Sequence, residues 1–96
     1  MALFRLKGTQ YTQTAYQFIP GKGGKLAWSL YHDTKIEHTN YSLSVFELHY
    51  TFQNHEKVFV LRPWEWILVD DDRYPFHIDT DDKFNEFYEV LEREDS

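Results

Sequence analysis

The chain contains 96 residues with a formal net charge of −6, and 42% of them are hydrophobic and 19% aromatic. This length predicts a single domain over residues 1–96, and the apolar content excludes an intrinsically disordered protein. The chain has no cysteine, which excludes a disulfide framework and thiolate metal sites. The N-terminus lacks a signal-peptide pattern, and no apolar run approaches membrane-spanning length. We therefore expect a soluble cytoplasmic protein with no membrane partner.

Charge is distributed unevenly along the chain. Residues 1–40 contain five basic and two acidic side chains, whereas residues 64–96 contain twelve acidic and three basic ones. The net charge is therefore +3 in the first segment and −9 in the last. This polarity predicts an acidic surface if the last third folds onto one side of the molecule. Ordinary solubility is the competing interpretation of the same residues.

The first third of the chain contains three predicted strands. Ala2–Lys7 is a short apolar run that predicts a first strand. Tyr11–Ile19 is rich in β-branched and aromatic residues, and Leu26–His32 alternates Leu26, Trp28 and Leu30 with smaller or more polar residues. Pro20–Lys25 lies between them, and its glycines and proline predict a turn that makes the two strands a hairpin.

A polar stretch and a second hairpin follow. Asp33–Asn40 predicts a loop or an exposed edge strand. In the segment from Tyr41 to Val69, two β-rich runs flank a short polar link, which is typical of an antiparallel hairpin. A two-residue loop at Asn54-His55 gives three favourable cross-strand pairs, namely Tyr50 with Phe59, Leu48 with Leu61, and Glu47 with Arg62.

Two features of this hairpin leave alternatives open. Tyr41, Leu43 and Val45 lie in the opposite phase from Phe46, which predicts either a bulge near Val45 or a strand buried on both faces. Pro63 cannot donate a hydrogen bond to a ladder. We therefore expect a kink or an edge position between Lys57–Arg62 and Trp64–Val69.

The last third predicts a helix. Asp70-Asp71-Asp72 and Tyr74-Pro75 interrupt the sheet, and Phe76–Ile78 predicts a short strand. Asp79 or Thr80 is the predicted N-cap, with Asp81 and Asp82 in the first turn, where carboxylates favour the helix dipole. The predicted apolar stripe consists of Phe84, Phe87, Tyr88 and Leu91, and Glu89 is placed to pair with Arg93.

These elements predict an α+β fold. We expect an antiparallel sheet of about five strands, built from two hairpins, with one C-terminal amphipathic helix packed on one face. A strongly curved sheet or a small barrel is the alternative architecture.

No motif in the sequence identifies a reaction. The glycines of Pro20–Lys25 resemble a phosphate loop only in composition, because a strand pattern and not a helix follows them. Asp70-Asp71-Asp72 lacks the spacing of a calcium loop, and no serine has a recognisable nucleophile motif. His77 and Asp79 share a strand face, which suits a metal or acid–base pair, although helix capping by Asp79 is the simpler interpretation. We therefore predict no enzyme activity, no catalytic residue, no metal site and no cofactor.

The leading functional hypothesis is an acidic binding protein that engages a basic, nucleic-acid-binding site on a partner protein. Carboxylates would steer the encounter and exposed aromatics would anchor it. The predicted partner-binding residues are Asp70, Asp71, Asp72, Asp82, Glu86, Glu89, Trp64 and Trp66. A nucleic-acid mimic encoded by a phage or plasmid as an inhibitor of a host system is the sharper version, by analogy with compact acidic proteins of that kind.

Other partners follow from the same surface features. Direct nucleic-acid binding is disfavoured because the residues around the tryptophans are acidic. The alternative function is a homo-oligomeric structural component, such as a homodimer, held together by exposed aromatics and strand edges.

Overall fold

Antiparallel strands are the main regular structure of residues 3–92, the part of the chain that the computed structural model describes. The elements in this range are, in chain order, β1 (Leu3–Leu6), β2 (Thr12–Gln17), α1 (Gly23–Asp33), β3 (His38–Tyr41), β4 (Phe46–Phe52), β5 (His55–Leu61), β6 (Trp66–Val69), β7 (Pro75–Asp79), α2 (Asp81–Phe87) and β8 (Tyr88–Glu92). One five-stranded sheet has the order β7-β6-β2-β1-β8, and one three-stranded sheet has the order β3-β4-β5. The predicted α+β class is confirmed. The prediction of one sheet and one helix is wrong, because the described residues form two sheets and two helices.

Several predicted strands are present with different bounds. Ala2–Lys7 contains β1, although Ala2 itself lies outside the described residues. Tyr11–Ile19 contains β2, and Phe76–Ile78 lies within β7. The edge-strand alternative for Asp33–Asn40 is correct for its last three residues, which begin β3.

The predicted central hairpin is present as β4 and β5, but its loop begins one residue earlier than predicted. Gln53 and Asn54 form the loop, and both have positive φ, at 50° and 65°. Positive φ at both residues defines a type I′ turn, whose twist matches that of the flanking strands. The pairs that replace the three predicted ones are Leu48 with Phe59, Tyr50 with Lys57, and Glu47 with Val60. Each partner shifts by two residues, so every side chain keeps its predicted face.

The change of apolar phase before Phe46 is a turn, so both alternatives for that stretch are wrong. β3 ends at Tyr41, and the Ser42 N–H donates to the Val45 carbonyl over 2.9 Å before β4 begins. The predicted interruption at Pro63 is confirmed, because β5 and β6 belong to different sheets.

Residues 26–32 form part of a helix, so the strand and hairpin predicted for them are wrong. α1 buries four residues spaced at i, i+3, i+4 and i+7, which are Gly23, Leu26, Ala27 and Leu30. Trp28, which the strand prediction placed on the same face as Leu26, is 60% exposed. β2 pairs instead with β1 and β6.

The C-terminal helix is shorter than predicted. Thr80 is the N-cap, and its hydroxyl accepts a hydrogen bond from the Lys83 N–H, as one of the two capping alternatives predicted. The helix ends at Phe87, and β8 then pairs with β1 at the edge of the sheet. Phe84 is buried, whereas Phe87 and Leu91 are exposed, so the predicted four-residue stripe is wrong. Arg93, the predicted partner of Glu89, lies outside the described residues.

Two apolar cores lie on opposite faces of the five-stranded sheet. The larger one joins that sheet to α1 and the three-stranded sheet, with Phe18, Leu30, Phe46 and Ile67 fully buried. The smaller one holds α2 on the other face through Phe4, Ala15, Trp66, Leu68 and Phe84. The rings of Phe84 and Trp66 stack at 4.1 Å, and the Phe4 ring meets both edge-on. Among residues 3–92, no helix has the length and apolar character needed to cross a membrane.

Candidate functional site

The two tryptophans predicted to bind a partner lie in different environments. Trp66 is buried and packs against α2, whereas Trp64 is 51% exposed. Trp64 is the third residue of a turn that the Glu65 N–H closes onto the Arg62 carbonyl over 3.1 Å. The turn has the form of a type II turn, because Pro63 occupies its second position and Trp64, at its third, has a φ of +72°. The third position of such a turn is normally glycine. A bulky side chain at positive φ is rare, so the backbone is strained where the indole is displayed.

Two hydrogen bonds to its backbone N–H and carbonyl hold Trp64 in place. Its N–H donates to the Phe18 carbonyl over 2.7 Å, and its carbonyl accepts from Gln17 Nε2 over 3.0 Å. The same Gln17 nitrogen donates to Asp81 Oδ1 over 3.1 Å. The Trp64 carbonyl oxygen and Asp81 Oδ1 are therefore no more than about 6 Å apart. An exposed indole and a carboxylate thus lie at the same end of the sheet.

Asp81 Oδ1 is the centre of a small polar network. Besides Gln17 Nε2, it accepts from Trp66 Nε1 and from Asn85 Nδ2, each over 2.9 Å. All three donors are neutral side-chain N–H groups. The network ties the first turn of α2 to β2 and β6, and Asp82 follows it directly in the same turn.

The exposed carboxylates of α2 lie next to this network. Asp82 and Glu86 are one helical turn apart, both are exposed, and neither forms an ion pair with any described residue. Asp79 lies just before the helix, opposite Trp66 in the β6–β7 register. We refer to Trp64, Gln17, Asp79, Asp81 and Asp82 as the Trp64 corner.

The three predicted aspartates before β7 lie at its opposite end. Asp71, Asp72 and Arg73 form a three-residue loop, in which the Asp70 N–H donates to the Tyr74 carbonyl over 3.0 Å. Asp70 Oδ1 accepts from the Tyr74 N–H over 2.9 Å, so this carboxylate helps to build the turn. Asp71 and Asp72 are exposed and form no ion pair within residues 3–92.

One edge strand therefore joins the two acidic groups. β7 is the outermost strand of its sheet, and its five residues separate the groups by about 16 Å. Glu89 does not belong to this arrangement. It lies on β8, at the other edge of the sheet, and its carboxylate forms an ion pair with the Arg5 guanidinium.

The His77 and Asp79 pair has the geometry that strand alternation suggested. His77 Nε2 lies 2.9 Å from Asp79 Oδ1, with the imidazole exposed at the edge of the sheet. Among residues 3–92, no group of three or more metal-ligating side chains is placed to hold an ion. The pair adds to the polar surface of the β7 edge.

A shallow cleft of about 340 Å³ lies beside the Asp70 turn. It is lined by eight residues, which are Tyr11, Thr12, Gln13, Thr14, Val69, Asp70, Asp71 and Phe76. The buried Gln13 side chain is fully engaged, because Nε2 donates to the Val69 carbonyl over 2.9 Å and Oε1 accepts from the Tyr11 hydroxyl. The cleft therefore has an exposed aromatic wall and an acidic rim.

Two tyrosines near the acidic residues have raised pKa values. Burial raises the pKa of Tyr50, and the Asp70 carboxylate adds to the effect. Burial also raises the pKa of Tyr88, and smaller electrostatic contributions from Tyr11 and Asp79 raise it further. Both phenols therefore stay neutral at physiological pH and act as hydrogen-bond donors or packing groups.

Sequence patterns do not reveal Gln17 and Asn85, the two amides that position Asp81. Asn85 has a detectable signal, because it lies four residues after Asp81 on the predicted helix. Gln17 has none, since it reaches Asp81 from a strand 64 residues away.

No family model matches the chain, and neither curated proteins nor solved structures show a detectable similarity to it.

Proposed function

We propose that this is a small non-enzymatic acidic binding protein, which engages a basic site on a partner protein through the Trp64 corner and the carboxylates along β7. The observation that carries the proposal is a half-exposed indole on a backbone held by hydrogen bonds, at the same end of the sheet as carboxylates that form no ion pair with a lysine or arginine among residues 3–92. An indole face attracts arginine and lysine, and carboxylates bind guanidinium groups with paired hydrogen bonds. An arginine-rich or lysine-rich surface is therefore the expected binding partner.

Charge spacing supports the sharper hypothesis of a nucleic-acid mimic. Residues 70–82 contain six aspartates and one arginine. The aspartates lie in two groups at the two ends of β7, about 16 Å apart, which is close to five of the 3.4 Å phosphate steps along a single DNA strand. The proposed target is then a cationic cleft that normally holds nucleic acid. The proposed biological role is a cytoplasmic inhibitor encoded by a phage or a plasmid.

The first test uses a fluorescently labelled nona-arginine peptide as the probe. We expect binding that weakens steeply with salt, measured by fluorescence anisotropy. Trp64→Ala should weaken binding by about 2- to 30-fold, the range of a partly desolvated cation–π contact. Asp71→Asn with Asp72→Asn, and Asp82→Asn with Glu86→Gln, should each weaken binding and reduce the salt dependence.

Matched controls lie elsewhere on the chain. Trp28→Ala removes a tryptophan of similar exposure on α1, and Glu37→Gln removes a carboxylate outside the acidic surface. Both should leave the affinity unchanged. Equal losses for Trp28→Ala and Trp64→Ala would show that the peptide binds by general charge attraction, and the proposed site would then be wrong.

A second test examines the mimic hypothesis directly. The tagged protein is used to recover partners from the lysate of its native host, with the Trp64→Ala, Asp82→Asn, Glu86→Gln triple variant as the control bait. A partner held only by the wild-type chain should be a nucleic-acid-binding protein, and added DNA should displace it. Partners that DNA does not displace would contradict the mimic hypothesis.

A further inference from the structure

The free edge of β5 is the least protected strand edge of the described structure. β5 is seven residues long, pairs with β4 on one side, and has no described strand on the other. It contains no proline and no bulge, and Glu56, Lys57, Val58 and Val60 are all exposed. Such an edge is a template for another strand.

The other three edges carry protection that β5 lacks. β3 is short, and the Thr39 N–H already donates to the Tyr31 hydroxyl over 2.8 Å. β7 begins with Pro75 and pairs irregularly with β6. β8 pairs with β1 through a register shift. Prolines, bulges and side-chain caps block edge-to-edge pairing, and among the edges formed by residues 3–92 β5 is the one without any of the three. Its charged residues, Glu56 and Lys57, find complementary partners in the pairing proposed below.

The hairpin turn shows which backbone groups of β5 face outward. Residues on either side of a two-residue loop bond to each other, so His55 and every second residue after it direct their N–H and C=O groups to β4. Glu56, Val58 and Val60 therefore direct theirs to the free edge. Arg62 ends this row, because its N–H donates to Glu65 Oε1 over 2.6 Å and its carbonyl accepts from the Glu65 N–H.

We propose that β5 pairs antiparallel with β5 of a second copy of this chain, about a twofold axis at Val58. The outward row of three residues is symmetric about its central valine, so all three N–H and all three C=O groups of each copy find partners. The pairing joins two three-stranded sheets into one continuous six-stranded sheet. This proposal makes the earlier prediction of self-association specific, and it does not depend on the Trp64 corner.

Side chains in this register are complementary. Val58 meets Val58 of the second copy, and Glu56 lies opposite Val60 and diagonal to Arg62, a distance that long side chains span. Glu56 precedes the axis and Arg62 follows it, so the antiparallel arrangement brings opposite charges together at both ends. On the inner face, Lys57 lies opposite the Phe59 ring, where a cation–π contact forms.

Dimerisation would also affect partner binding. In this arrangement the two Arg62 Cα atoms lie roughly 25 Å apart along the strand direction, and each Trp64 follows two residues later. One dimer would present two Trp64 corners to a partner, which raises the avidity for an extended basic surface.

Charge substitutions at the axis give a test that only self-pairing satisfies. Val58 is 50% exposed on the outer face, so a charged residue there does not disturb the core. In sedimentation velocity, the wild-type chain should show twice its monomer mass of 11.7 kDa. Val58→Lys and Val58→Glu should each be monomeric, because like charges then face each other. Mixed in equal amounts, the two variants should recover the dimer mass.

Two lysine controls locate the interface. Val90→Lys changes a valine of similar exposure, 49%, on the β8 edge, and it should stay dimeric. Val60→Lys should also stay dimeric, because the new ammonium group lies opposite Glu56 of the second copy. A monomeric wild-type chain across the whole concentration range would overturn the proposal. So would a dimer that survives Val58→Lys, or a mixture of the two Val58 variants that remains monomeric.

Discussion

Asp81 links the stability of α2 to the shape of the Trp64 corner, and its removal is the most informative perturbation of the fold. Asp81→Ala deletes the acceptor of three hydrogen bonds, from Gln17, Trp66 and Asn85. These donors differ in what they lose. Asn85 is exposed and Gln17 is partly so, and both amides turn to water at little cost. The Trp66 indole N–H is attached to a buried ring and has no such alternative.

The expected destabilisation follows from these differences. A buried donor left without a partner costs about 1–3 kcal/mol. Loss of a carboxylate from the first turn of a helix costs a further 0.3–1 kcal/mol or so. We therefore expect Asp81→Ala to lower the free energy of unfolding by about 1–4 kcal/mol. Asp82→Ala, the neighbouring control, removes only the dipole interaction and should cost no more than about 1 kcal/mol.

Urea unfolding followed by tryptophan fluorescence measures both values. With a slope near 1–2 kcal/mol per M, the midpoint should fall by about 0.5–4 M for Asp81→Ala and by no more than about 1 M for Asp82→Ala. A double-mutant cycle with Trp66→Phe isolates the indole contribution. In that background Asp81→Ala should cost about 1–2 kcal/mol less, because the N–H is already absent. Equal costs for Asp81→Ala and Asp82→Ala would refute the anchoring role of Asp81.

Two further predictions concern other parts of the fold. Gly23→Ala should destabilise by about 1–3 kcal/mol despite the better helix propensity of alanine, since its Cβ would lie 2.5 Å from Cδ2 of Tyr41. In Gly24→Ala the nearest atom to the added Cβ is the Tyr41 hydroxyl oxygen at 3.2 Å, so this variant should be neutral or stabilising. Urea unfolding measures both variants. Burial holds the pKa of Tyr50 in the folded protein above its value in the unfolded chain, so folding favours the neutral phenol. The contribution of Tyr50 to stability is therefore complete below pH about 10 and is lost as pH rises through the folded pKa. Tyr50→Phe should lose the hydrogen bond to the Pro75 carbonyl at neutral pH, but should show a smaller further loss of stability above pH about 10.

Local patterns predicted the β4–β5 hairpin well because the relevant information is local. Strand alternation assigns Leu48 and Tyr50 to the inner face in any register that differs by two residues. The loop position depends on which residues accept positive φ, and Gln53 is not a residue that sequence rules select for it. The error therefore changed cross-strand partners and left the buried face correct.

The helix α1 could not be distinguished from a strand by periodicity alone. Leu26 and Leu30 fit both an alternating and a helical pattern, and Trp28 favours the strand only if it is buried. The helix also begins without a side-chain cap at Lys22, so the usual start signal is absent. The early end of α2 was missed for a different reason. The residues after Phe87 form β8 by pairing with β1, which lies more than 80 residues earlier in the chain, and local patterns do not report such a pairing.

The most specific feature of the candidate site, strain at Trp64, is visible only in the structure. A residue with a side chain in the left-handed region costs about 1–2 kcal/mol, and nothing in the turn requires a tryptophan there. Trp64→Gly should therefore relieve strain and raise the free energy of unfolding by about 1 kcal/mol, whereas Trp64→Ala keeps the strained backbone and should gain little. Both variants should lose affinity for the nona-arginine peptide. A chain that becomes more stable and binds less well would show that the tryptophan is kept for recognition. Destabilisation by Trp64→Gly would instead assign the ring a packing role.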